Sequence, residues 1–186
     1  MGAYEMSRKG LMKTRTLVTA ALLVALGVML NFINFPILPA PADFLKYTPA
    51  DIPTLLGSFA LGPIVGSVIA VSRAILHSYT PASSGGPIGT VMDALTSVSF
   101  VGLAGVIYYF KRTRKGAVLG LAAATICVIV VSTVLNYFWA FPAYGAPADL
   151  VWATALPFNA LKYSINAVLT FLLYKPLSVV LHGRRD

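Results

Sequence analysis

Charged residues are scarce in this sequence of 186 residues: they make up 11% of it, whereas hydrophobic residues make up 58%. A soluble globular domain typically has about 25% charged and about 45–50% apolar residues. So few charges cannot cover a surface that faces water, and the apolar residues come in long blocks typical of bilayer spans. The composition therefore predicts an all-α integral protein of the cell membrane that crosses the bilayer several times.

The sequence also lacks the motifs of the common enzymatic chemistries. It contains neither the phosphate-binding loop G-x-x-x-x-G-K-[ST] nor the dinucleotide motif G-x-G-x-x-G, and it has no H-E-x-x-H or paired-cysteine metal site. Cys127 is the only cysteine, which excludes a disulfide within the chain. We therefore predict no catalytic residue, no metal site and no bound cofactor, and we consider an enzyme only as an alternative.

Positive charge is the exception to this scarcity, since the formal net charge is +8. The basic residues cluster before the first apolar block (residues 8–15), in one short loop (residues 111–115) and at the C-terminus (residues 184–185). Clusters that flank spans stay on the cytoplasmic side during membrane insertion. They therefore indicate membrane topology, and no basic face with interleaved aromatic residues suggests a nucleic-acid partner.

The number of spans depends on the region from Ala50 to Ser78, which Gly62-Pro63 divides into two short apolar halves. One span there would place the basic loop 111–115 opposite the basic N-terminus, whereas two spans place every basic cluster on one side. We therefore predict one domain over residues 1–186, with both termini in the cytoplasm. Its six helices are expected at about 14–35, 50–61, 64–78, 88–110, 117–141 and 151–181.

Polar side chains inside the apolar blocks are the candidates for function, because each is costly in lipid and usually faces protein or a water-filled cavity. Asn136 falls toward the external end of the fifth helix, and Asn159 and Lys162 share one face of the sixth. Asparagine supplies donors and an acceptor, and lysine a charged donor. This set suits a neutral, planar heterocycle with alternating carbonyl and N–H groups.

Three other intramembrane polar residues favour structural roles. Arg73 and Asp93 have opposite charge on neighbouring helices, which predicts a buried ion pair rather than a substrate contact. Asn166 is expected to join helices.

Small residues four apart occur at Ala21 and Ala25, at Gly62 and Gly66, and at Gly116 and Gly120. This spacing lets helices approach closely, either within the chain or against another subunit.

Several segments occur together in a familiar order: Phe44-Leu45-Lys46-Tyr47, Asp51-Ile52-Pro53, Gly57-Ser58-Phe59-Ala60-Leu61-Gly62-Pro63, Gly86-Pro87-Ile88-Gly89, Asn136-Tyr137-Phe138 and Pro157-Phe158-Asn159-x-x-Lys162. Over essentially the whole chain, this order resembles the riboflavin-specific S component of energy-coupling factor (ECF) transporters. The resemblance implies a six-helix bundle whose first external loop is a lid over an outward-facing pocket. It also implies that the chain captures riboflavin as the transported ligand, and that a transmembrane T protein and two cytoplasmic ATPases supply the energy.

The resemblance further implies roles for particular residues. Asn136, Asn159 and Lys162 match the polar residues that hold the isoalloxazine ring, and Ala21 and Ala25 match the helix contact with the T protein. The lid residues that would close over the ligand are Phe44, Leu45, Lys46, Tyr47 and Thr48. The alternatives are an S component for another vitamin (thiamine, folate or biotin), a small integral-membrane enzyme, and a helix-packing accessory protein without a ligand.

Overall fold

The computed structural model describes the backbone of residues 3–182 and the side chains of residues 14–174. Its elements, in chain order, are α1 (Ala3–Leu30), β1 (Phe35–Pro36), β2 (Lys46–Tyr47), α2 (Asp51–Leu61), α3 (Pro63–Ser78), α4 (Gly86–Phe110), α5 (Arg114–Leu135), a π-helical segment (Asn136–Ala140), α6 (Phe141–Ala143), α7 (Leu150–Ala153) and α8 (Ala155–His182). The π segment and α6 continue α5, and α7 leads into α8. The predicted all-α fold with six main helices is confirmed.

The helices differ in length. Gly86–Phe110, Arg114–Ala143 and Leu150–Tyr174 are long and apolar enough to cross a membrane, whereas Asp51–Leu61 and Pro63–Ser78 are apolar but shorter. The part of α1 whose side chains are described, Thr14–Leu30, is also apolar. At 1.5 Å per residue, a helix of 11 residues such as α2 covers only about 17 Å of a hydrocarbon core about 30 Å thick. The short helices α2 and α3 therefore depend on packing, above all against the long helix α4.

The turn between α2 and α3 consists of Gly62 alone, which confirms two helices where the sequence left a choice between one span and two. Gly62 has φ of +102°, a conformation that side chains rarely adopt, and Pro63 begins α3, where its missing N–H has no helical partner in any case. A side chain at Gly66 would collide with Ser58, so the two short helices pack back to back.

The first helix ends at Leu30 rather than near residue 35, as the sequence had predicted. Phe35 and Pro36 instead form β1, which pairs antiparallel with β2, so that Phe35 lies opposite Tyr47 with ring centroids 5.5 Å apart. Pro36 lacks the N–H that a continuing helix requires. This pairing folds the first loop (residues 31–50) back over the end of the bundle.

Two long helices are also interrupted where the sequence predicted continuous ones. Asn136–Ala140 forms a π-helical segment, an irregularity that is frequent at functional sites. Thr154, with φ of −119° and ψ of −68°, separates α7 from α8. Pro157 follows within the first turn of α8 and cannot donate a hydrogen bond to a carbonyl of the preceding turn. Both interruptions lie beside the loop at residues 144–149.

The apolar core runs between α2, α4, α5 and α8. Its buried members are Leu55, Phe59, Phe100, Val101, Ala104, Tyr108, Ala117, Leu121, Ala124, Val128 and Tyr163. Gly120 lies so close to the Ala104 carbonyl that a Cβ there would be 2.8 Å from its oxygen. The small residues Gly66 and Gly120 therefore serve packing within the chain, whereas Ala21 and Ala25 are both exposed on α1.

Candidate functional site

The first loop, residues 79–85 and residues 144–149 lie at one end of the bundle, called here the loop end, which the basic clusters predict to be external. The hydroxyl of Tyr144 donates a hydrogen bond of 2.6 Å to the Gly85 carbonyl and so joins the second and third loops. Burial raises the pKa of Tyr144, which keeps the phenol protonated as a donor. Most of the intramembrane polar residues singled out above also lie toward this end.

Asp51, the first residue of α2, is the centre of a buried polar network at the loop end. Its carboxylate is buried, and Oδ1 accepts a hydrogen bond of 2.7 Å from Ser97 and one of 3.3 Å from the Arg73 guanidinium. The N-terminus of a helix also stabilises a carboxylate through the helix dipole. These contacts fix the side chain between α2, α3 and α4.

Arg73 forms the ion pair with Asp93 that the sequence predicted, at 3.0 Å. The same Nη2 also lies 2.7 Å from Ser97 Oγ and 3.3 Å from Asp51, a partner that the sequence did not indicate. Arg73 is only 1% exposed, and a charge buried this deeply requires partners close by. Two carboxylates and a hydroxyl supply them.

Asn166 joins this network to the first loop. Its Oδ1 accepts a hydrogen bond of 2.9 Å from the Tyr47 hydroxyl, and its Nδ2 donates to the Thr48 carbonyl at 3.4 Å and to Asp51 Oδ2 at 3.3 Å. Burial and the neighbouring Asp51 carboxylate raise the pKa of Tyr47, so the phenol stays protonated. The helix-joining role predicted for Asn166 is confirmed and extends to the loop.

Lys162 lies one turn before Asn166 on the same face of α8. Its Nζ is 3.9 Å from Asp51 Oδ2, and its side chain is 14% exposed. Asn159, a further turn toward the loop end, is 7% exposed. The structure thus places the two predicted ligand residues of the last helix on one face, directly beside the network that holds the loop.

Asn136 is the first residue of the π segment, and its Nδ2 donates a hydrogen bond of 2.7 Å to the Ser132 carbonyl of the preceding turn. Its side chain is half-buried. The structure therefore places Asn136 at the loop end of α5, with its side-chain amide bonded to its own helix. This bond uses one of its two amide hydrogens and leaves the carbonyl oxygen and the other hydrogen for further contacts.

The other predicted lid residues cover the bundle next to α6 and α7. Phe44 contacts the ring of Phe141 edge-on at 6.3 Å, and Leu45 packs on the small cluster of Phe141, Val151 and Ala155. Lys46 is exposed and pairs with Pro36 in the two-stranded ladder. With Tyr47 and Thr48 held by Asn166, the loop lies closed over the loop end of the bundle.

Asp51 and Ser97 are the site residues that sequence reasoning missed. The available signal was a carboxylate at the start of an apolar helix, two residues after Pro49. Among the side chains that the structure describes, no group of three or more histidines, cysteines or carboxylates is placed to hold a metal ion.

Known proteins resemble this chain along most of its length. The family model for the substrate-specific component of ECF transporters matches residues 15–174. The riboflavin transporter RibU of Staphylococcus aureus is 32% identical, with 89% of this chain and 92% of the relative covered. The riboflavin transporter FmnP of Bacillus subtilis is 25% identical, with 94% and 98% covered. A solved S component of a bacterial ECF transporter superposes with a TM-score of 0.81 at 34% identity, covering 92% of this chain and 99% of that one.

Proposed function

We propose that this chain, which belongs to the family of substrate-specific components of ECF transporters, captures riboflavin from outside the cell. The chain is accordingly a multi-pass membrane protein and a transport component rather than an enzyme. The observation that carries the proposal is that hydrogen bonds from Asn166 fasten the first loop to α8, immediately beside Lys162 and Asn159. Relatives described as riboflavin transporters match this chain over most of its length, and a solved S component of an ECF transporter shares its fold.

The residues at the loop end fit the chemistry of a flavin. The pyrimidine edge of an isoalloxazine ring alternates carbonyl and N–H groups, which asparagine amides and a lysine ammonium can satisfy. We assign this edge to Asn136, Asn159 and Lys162. Ligand sites are otherwise mostly apolar, with a few placed polar groups, and the residues from Phe44 to Thr48 would supply the cover over the ring and the ribityl chain. Riboflavin is in this account the cargo, and no cofactor is involved.

Energy for transport would come from partner subunits, a T protein in the membrane and two cytoplasmic ATPases. The sequence of this chain has no phosphate-binding loop of its own. Ala21 and Ala25 are exposed on the same face of α1, so this stripe of small side chains is free to approach a helix of another subunit. We assign the T-protein contact to this face.

Uptake by intact cells tests the proposed substrate. Cells without their own riboflavin uptake would express this chain together with an ECF T protein and its ATPases. We expect accumulation of labelled riboflavin that excess unlabelled riboflavin abolishes and that thiamine, folate or biotin leave unchanged. Competition by one of those vitamins alone would assign the chain to that vitamin instead.

Replacing Ala25 with leucine is expected to separate binding from transport. The larger side chain would keep an opposing helix from approaching α1, while the loop end of the bundle is unaffected. Riboflavin affinity should stay within about twofold of the unsubstituted protein, whereas uptake should fall about tenfold or more, equivalent to about 1.4 kcal/mol of assembly free energy.

The control is Ala122→Leu, which enlarges another exposed alanine, on α5. It should leave both binding and uptake unchanged. Normal transport by the Ala25→Leu protein would reject the assignment of this face.

A further inference from the structure

We propose that Asn166 is a positioning residue that fastens the closed first loop to α8 and holds the Asp51 carboxylate beside Lys162, so that ligand release requires the Tyr47–Asn166 hydrogen bond to break. This inference rests on the proposed riboflavin-binding function. It adds a residue that need not touch the ligand but that sets how long the ligand stays bound.

The contacts of Asn166 all lead to one short stretch of chain. Its amide is fully buried and reaches the side chain of Tyr47, the carbonyl of Thr48 and the carboxylate of Asp51. The first two belong to the loop, and the third begins α2. A single side chain of α8 therefore holds both the end of the lid and the start of the next helix.

The Asp51 carboxylate links Asn166 to Lys162. Its Oδ1 already accepts from Ser97 and Arg73, so Oδ2 is left for the last helix. That oxygen lies 3.3 Å from Asn166 Nδ2 and 3.9 Å from Lys162 Nζ. Both α8 side chains thus share one fixed oxygen atom.

Opening of the loop would break these contacts together. When residues 47 and 48 move away, the Asn166 amide loses the partner of its carbonyl and one of the two acceptors of its NH₂ group. A buried polar group without partners is unfavourable, so the closed position is stabilised by the amide that it satisfies. A ligand that enters while the loop is open can leave only after the loop reopens. The Tyr47–Asn166 hydrogen bond, called here the latch, would then retain it.

Removing one hydroxyl tests the latch with little disturbance. Tyr47→Phe keeps the ring against Phe35 but removes the donor to Asn166. In stopped-flow fluorescence with purified protein, we expect riboflavin to dissociate about 5–20-fold faster, while the association rate changes less than about threefold. A residue needed only for folding would lower the amount of active protein without separating the two rates.

Tyr144→Phe is the matched control, since it also removes the hydroxyl of a loop tyrosine. That hydroxyl donates to the Gly85 carbonyl and not to a residue of α8. Its dissociation rate should equal that of the unsubstituted protein. Asn166→Ala should release riboflavin as fast as Tyr47→Phe or faster. Adding Tyr47→Phe to it should have little further effect, because Asn166→Ala has already removed the partner of the Tyr47 hydroxyl.

Failure of this inference can be told apart from failure of the proposed function. If the unsubstituted protein binds riboflavin and Tyr47→Phe releases it within twofold of the normal rate, the latch is rejected and the function stands. If the unsubstituted protein binds no riboflavin, amide hydrogen exchange of residues 42–48 without ligand decides. Faster exchange in Tyr47→Phe than in Tyr144→Phe supports the latch, and equal exchange rejects it.

Discussion

Replacing Asp51 with alanine is expected to lower the free energy of unfolding by about 3–5 kcal/mol, the range for breaking a buried ion pair. The change leaves the buried Arg73 guanidinium with one carboxylate, Asp93, instead of two. It removes the nearer acceptor of Ser97, at 2.7 Å, and leaves Asp93 at 3.5 Å. It also takes away the oxygen that Asn166 and Lys162 share. Unfolding of the purified protein in detergent, followed by intrinsic fluorescence, measures the loss.

Asp43→Ala is the matched control, because Asp43 is an exposed carboxylate in the same loop. Exposed charges contribute little to stability, so this protein should unfold within about 0.5 kcal/mol of the unsubstituted one. Asp51→Asn should lie between the two, since the amide keeps an acceptor for Ser97 but removes the negative charge beside Arg73. Equal stability of Asp51→Ala and Asp43→Ala would show that the network contributes nothing to the fold.

Replacing Lys162 or Asn159 with alanine is expected to weaken riboflavin binding tenfold or more without unfolding the protein. Each change leaves a polar atom of the ligand's pyrimidine edge without a partner in a buried site, at about 1–3 kcal/mol. Asp51 still has Arg73, Ser97 and Asn166 after Lys162 is removed, so the network survives. Quenching of riboflavin fluorescence on titration with purified protein measures the affinity.

Lys111→Ala is the control for this pair, since Lys111 is an exposed lysine at the other end of the bundle. It should bind riboflavin with unchanged affinity and melt at an unchanged temperature. Normal affinity in both the Lys162→Ala and the Asn159→Ala proteins would overturn the assignment of the ligand's polar edge to α8.

The architecture was predictable because it follows from local properties of the chain. Apolar blocks predict spans, and the sidedness of the basic clusters decided that Gly62 joins two helices rather than interrupting one. The Arg73–Asp93 pair was predictable as well, since two opposite charges in neighbouring apolar helices require partners. The end of α1 was predicted wrongly, because the apolar character of residues 31–35 continues into a strand that pairs with the lid.

The network behind the site was not predictable, since it joins residues far apart in the chain. Tyr47 and Asn166 are 119 positions apart, and Ser97 and Asp51 are 46 apart. Nothing in the local sequence of Ser97 distinguishes it from the serines of α4 that bond their own helix, such as Ser99. Only the packing of four helices at one end brings these side chains together.

The absorbance spectrum of the protein, purified in detergent from cells grown with riboflavin, tests the central claim most directly. We expect the spectrum of a flavin that is present in about one-to-one ratio with the chain and is released when the protein is denatured. A colourless protein that also fails to quench the fluorescence of added riboflavin would contradict the flavin assignment.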